Sequence, residues 1–114
     1  MQGAIVYRWN GTVPGREMAA LQLMRDSNAF SDKVVAEGRI SDWAWYVAGQ
    51  GGVSLCIVRG EMEQLMAIAS DPELLALTSR CELILKDYVW GYFATGDSVE
   101  PMAVLFEQAV AQLA

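Results

Sequence analysis

Apolar and polar residues trade places along this chain with two periods. Ala4 to Trp9, AIVYRW, is a short β-branched and aromatic run that predicts a strand. Asn10-Gly11 and Pro14-Gly15 follow as turn punctuation. A helix is expected next, with Pro14 near its start, Glu17 in its first turn and an apolar face through Met18, Leu21 and Met24. Ser27-Asn28 should interrupt it. Ser31-Asp32 should then recap a second piece carrying Phe30, Val34 and Val35, with Gly38 suited to the position just past its end.

Ser41 to Gly60, SDWAWYVAGQGGVSLCIVRG, alternates along its length and doubles back on a Gly-rich turn. With Gly49 to Gly52 as the loop, Ala48 opposes Val53, Tyr46 pairs with Leu55, Ala44 with Ile57 and Asp42 with Arg59. The last is an opposite-charge match that supports this register. The other side of the hairpin carries Trp43, Trp45 and Val47 beside Val58, Cys56 and Ser54. A slip of one residue would exchange the two faces.

Met62, Leu65, Met66 and Ala69 fall at helical spacing. Ser70-Asp71-Pro72-Glu73 then reads as a fresh helix start running to about Ser79 to Glu82. LILKDYVWGYFA, Leu83 to Ala94, is expected as a strand with a bulge at Gly91. Ser98 should cap a last helix whose apolar set is Val99, Met102, Ala103, Phe106, Ala109, Val110 and Leu113, the most regular period in the chain. No linker, repeat or low-complexity tract divides residues 1–114, which fits a single domain.

The order β-α-β-β-α-β-α contains the ferredoxin-like arrangement plus one C-terminal helix, an α+β class. Right-handed crossovers place both internal helices on one face of an antiparallel sheet and leave the other bare. In the first strand Ile5, Tyr7 and Trp9 point one way and Ala4 and Val6 the other. In the last, Trp90 and Tyr92 share a side opposite Val89 and Phe93. A sheet with one wet face should alternate apolar with polar, and this one does not. A second copy packed on the aromatic-laden bare face is the economical solution, giving a two-fold homodimer.

Composition narrows the function classes. The net charge is −6 with two lysines, Lys33 and Lys86, so no basic stripe for nucleic acid is visible. Hydrophobic residues make up 54% of the chain, yet no run approaches the roughly 20 apolar residues of a membrane span. A strand pattern begins at once, without the basic and apolar regions of a signal peptide, which predicts a cytoplasmic protein with reduced thiols. Cys56 and Cys81 stand at no metal-like spacing and read as buried small hydrophobes. With no histidine, a Ser-His-Asp triad, a His-ligated haem and most zinc sites are excluded. No cofactor is expected.

The first strand, the VPGRE helix entry, EGRISDWAWYVAG, the hairpin and the final WGYFATG together resemble the dimeric α+β barrel superfamily, especially small antibiotic-biosynthesis-monooxygenase-like proteins. The resemblance covers most of residues 4–95. It implies a ferredoxin-like dimeric barrel and, between sheet and helices, room for a small apolar or aromatic ligand. It also brings in cofactor-independent oxygenases, haem-degrading enzymes and ligand-sensing modules. The haem branches commonly depend on histidine, which this chain lacks.

The ligand-binding candidates are Tyr7, Trp9, Trp43, Trp45, Trp90 and Tyr92 as aromatic walls, with core or interface packing as the competing role. Arg8, mid-strand among apolar neighbours, is the polar candidate, able to hold a carboxylate or enolate-like oxygen or to pair with Asp42, Asp87 or Glu82. Gly49-Gln50-Gly51-Gly52 is hairpin turn chemistry rather than a phosphate loop. Two functions compete. One is a cofactor-independent monooxygenase-like enzyme on a small apolar or aromatic substrate, and the other a non-catalytic ligand-binding or assembly module.

Overall fold

A computed structural model describes residues 1–49 and 52–113. Four strands, β1 (Gln2–Trp9), β2 (Asp42–Tyr46), β3 (Ser54–Glu61) and β4 (Val89–Ala94), form one antiparallel sheet in the order β2-β3-β1-β4. Helices α1 (Glu17–Ala36), α2 (Met62–Ala69) and α3 (Pro72–Ile84) cover one face, and α4 (Val99–Leu113) follows a short 3-10 turn at Gly96–Ser98. This is the expected α+β ferredoxin-like arrangement with a C-terminal helix added. Among the described residues, no helix is long and apolar enough to cross a membrane.

The hairpin ladder has the register its charges suggest: Asp42 opposes Arg59, Ala44 opposes Ile57 and Tyr46 opposes Leu55. Arg59 grips Asp42 through two hydrogen bonds of 2.7 and 2.8 Å. The expected loop includes Gln50 and Gly51, which lie outside the described residues. Gly38 follows α1 at φ 71° while its amide and that of Arg39 bond back to Val35 and Val34, a C-terminal cap that favours glycine. Asp71 caps α3 by accepting from the Glu73 amide at 2.8 Å, ahead of Pro72.

Three elements differ from expectation. The first helix runs unbroken through Ser27-Asn28 to Ala36. The Asn28 side chain bonds an indole across the core instead of competing for its own backbone. Leu83 and Ile84 end α3 rather than beginning a strand. The chain turns through Asp87 at φ 52°, and the β1–β4 ladder starts only at Val89, running past Gly91 opposite Val6 without the expected bulge. Ser98 donates its hydroxyl to the Gln2 carbonyl, tying the turn before α4 to the start of β1.

The core lies between sheet and helices. Ile5, Leu65 and Val34 are fully enclosed, with Leu23, Phe30, Ile68, Val58 and Ile40 packed around them. Burial of each such side chain is worth about 1.5–3 kcal/mol.

Candidate functional site

The β1–β3 and β1–β4 registers place Ile5, Tyr7 and Trp9 on the same side of the sheet as Val58, Cys56, Trp90 and Tyr92. The β2–β3 register adds Trp43 and Trp45 to it. That side is the one beneath α1, α2 and α3. The expectation that the tryptophans crowd the bare face is therefore corrected. The aromatics turn inward to their own helices, because Cys56 and Val58, which they flank across the ladders, are core residues.

Between this floor and the helices lies a cavity of about 330 Å³. Tyr7, Trp9 and Trp45 form its floor, Leu23 and Phe30 of α1 its roof, and Leu77 and Cys81 of α3 its far wall. Thr12 and Leu85 line it where the loop after β1 meets the segment before β4, joined by Asn10 N to Lys86 O at 2.8 Å and Lys86 N to Gly11 O at 3.0 Å. Exposed Leu21, Met24 and Val47 also line it, at its solvent side.

Two aromatic groups give the floor its shape. Trp45 meets Trp9 edge-on at 5.6 Å and Trp43 edge-on at 5.9 Å. The Trp45 indole N–H donates to the Asn28 side-chain oxygen at 2.6 Å, fixing β2 to the middle of α1. On the other side Tyr7 stacks on Tyr88 at 6.4 Å and tilts against Trp90, which meets Tyr92 edge-on at 5.5 Å.

The chemistry of the lining is narrow. Glu17 is the one charged residue among the described residues that line the cavity. Its carboxylate is held below the usual range by backbone amides, its own first and then that of Gly15. Burial pushes the Cys56 thiol up to about 12. It likewise raises Cys81, Tyr7 and Tyr88. All four groups stay neutral at physiological pH, and so offer hydrogen bonds rather than a base. The Tyr88 hydroxyl is buried without a well-formed hydrogen bond, the Cys81 thiol being its nearest polar influence.

Of the candidates read from sequence, Tyr7, Trp9 and Trp45 line the cavity together. Trp43 supports Trp45 from behind. Trp90 and Tyr92 extend the same face beyond Tyr7 and remain 43% and 40% exposed. Arg8 does not join them. The strand's alternation puts it on the bare face, between Leu55 and Val89, with no ion pair among the described residues. Asp87 sits in a turn. The residues missed by sequence reasoning are Phe30, Leu77, Cys81 and Tyr88. The first three are signalled only by helical spacing, which marks any core face equally.

The chain matches no protein-family model and no curated protein sequence. Solved structures share the fold. Rv0793 of Mycobacterium tuberculosis is 18% identical with a TM-score of 0.68, over 87% of this chain and 99% of that one. SnoaB, a cofactor-independent oxygenase of Streptomyces nogalater, is 8% identical with a TM-score of 0.64, over 86% and 96%. A dimeric protein of unknown function with a ferredoxin-like fold from Bacteroides fragilis is 9% identical with a TM-score of 0.63, over 82% and 96%.

Proposed function

We propose that this chain binds a neutral, apolar, ring-containing small molecule in the cavity between its sheet and helices, as a pair of chains joined through the bare sheet face. The observation that carries the reading is the composition of that cavity. Aromatic and aliphatic walls enclose about 330 Å³, and a handful of neutral hydroxyl and thiol groups can orient a guest. Glu17 near the exposed rim disfavours anionic ligands, and among the described residues no lysine or arginine lines the space to hold a carboxylate.

The pairing is supported by the apolar character of the bare face, where Ala44 and Tyr46 of β2, Leu55 and Ile57 of β3, Val6 of β1, and Val89 and Phe93 of β4 share one side of the sheet. The Bacteroides fragilis neighbour is itself described as dimeric. A cytoplasmic location is proposed from the two thiols, which form no disulfide.

A second reading, a cofactor-independent oxygenase acting on an apolar substrate, is favoured by the fold shared with SnoaB. In that reading the protein supplies enclosure and orientation, and the substrate supplies its own easily ionised group. Arg8 is no longer available as the cationic partner, so hydrogen bonding falls to Tyr7 and Tyr88. Binding is the reading the geometry supports better, because the charged group among the described lining residues, Glu17, is a carboxylate whose lowered pKa makes it a weak base, and no cation stands beside it.

The test is a titration with N-phenyl-1-naphthylamine, followed by tryptophan emission and probe fluorescence. Saturable binding with quenching is expected. Ala20, on the helical wall, faces the cavity, and Ala20→Trp fills the space. That variant should keep its circular dichroism and lose the probe. Equal binding by both proteins would overturn the reading.

A further inference from the structure

Helix α4 is the element that buries nothing. Every one of its residues from Val99 to Leu113 is exposed, Phe106 by 70% and Leu113 by 89%. Yet Val99, Met102, Phe106, Val110 and Leu113 recur at steps of three and four and form one apolar stripe. The helix stands away from the body. The radius of gyration is 16.2 Å, against about 13 Å for a compact chain of this length.

The turn before it fixes where it leaves. Gln2 lies on the bare-face side of β1, and its side chain sits directly against Gly96, where an added methyl group would collide with it. Ser98 and Thr95 both bond the Gln2 carbonyl. The chain is therefore pinned at the Gln2 end of the bare face, and α4 starts from there.

Charge indicates the occupant. Glu100 and Glu107, two turns apart, run along one flank of the α4 stripe, and the helix has no lysine or arginine. Helices that lie on anionic membranes are rich in those cations, which disfavours a lipid surface. At the opposite end of β1 from Gln2, Arg8 stands exposed among Leu55, Val89 and Tyr46, unpaired among the described residues. A two-fold axis running across the strands brings the Gln2 end of one β1 over the Arg8 end of another.

We infer that α4 is an exchanged arm: in the paired form, α4 of each copy lies against the Arg8 end of the other copy's bare face, apolar stripe inward and acidic flank on Arg8. The inference rests on the sheet-face pairing proposed above. It adds that the interface is incomplete without the C-terminal helix and that Arg8 is an interface residue.

The test is sedimentation equilibrium of the full-length chain and its variants. Phe106→Glu, Arg8→Glu and the double change Glu100→Arg with Glu107→Arg should each raise the dissociation constant by roughly tenfold or more. Combining Arg8→Glu with the two arginine changes should recover most of the loss. All of these positions are exposed, so circular dichroism should stay unchanged. Ile57→Glu, at the centre of the bare face, separates the two ideas. If it dissociates the pair while the arm variants keep the wild-type constant, the pairing stands and the exchanged arm falls. A wild-type chain that sediments as a single subunit overturns both.

Discussion

The Trp45 indole donates to the Asn28 carboxamide across the space between β2 and α1, at 2.6 Å. This bond explains why a Ser-Asn pair sits mid-helix without breaking it, and it sets the width of the cavity on its Trp9 side. Asn28→Leu leaves the indole N–H without its partner. The expected cost is about 1 kcal/mol in urea unfolding, with a shift in tryptophan emission. A variant as stable as the parent would mean that water satisfies the indole equally well.

Leu65 on α2 is fully enclosed against the sheet. Leu65→Ala should cost about 2–5 kcal/mol in urea unfolding, because the lost transfer energy is joined by a cavity. Met66, the next residue, is 56% exposed. Met66→Ala should change stability by less than about 0.5 kcal/mol. Equal effects at both positions would contradict the assigned face of α2.

Alkaline pH should unfold this protein early. Burial raises Cys56 from the usual 9.0 to about 12. Tyr7 and Tyr88 are raised for the same reason. Below the usual thiol value both folded and unfolded chains are protonated and nothing is lost. Above it the unfolded chain releases protons that the folded chain retains, so stability falls as pH rises toward 12. Thermal scans from neutral pH upward should show a declining midpoint, shallower in Tyr7→Phe. A flat profile would contradict the burial of these groups.

Asp71 works in the opposite direction. The Arg39 guanidinium, at 2.7 Å, and then the Glu73 amide hold its carboxyl below the usual 3.8. Its contribution is present above that value and disappears as pH falls through the lowered one. Asp71→Ala should melt earlier than the parent at neutral pH, and the gap should close in strong acid. A gap independent of pH would assign the loss to the α3 cap alone, without the carboxylate charge.

Much of the fold was legible because local signals agreed with one another. Asp42 and Arg59 set the hairpin register, Asp71-Pro72 set the start of α3, and Gly38 set the end of α1. The tryptophans were harder. A period of two shows that Trp43 and Trp45 share a side with Cys56, but not which side the crossover helices take. From Ala4 onward both faces of β1 are apolar until Arg8, so the pattern offered no arbiter. Handedness and packing decided it, and they placed the aromatics inside. The end of α3 was obscured for a related reason. Leu83 and Ile84 suit a strand or a helix, and only the left-handed turn at Asp87 separates them from β4. Tyr88 entered the site through that turn, which no periodicity announces.

The most direct measurement is native mass spectrometry of freshly purified protein. The account predicts two 12.5 kDa chains carrying a non-covalent small-molecule adduct, and loss of that adduct in Ala20→Trp. Bare chains of unaltered mass that also take up no N-phenyl-1-naphthylamine would contradict it.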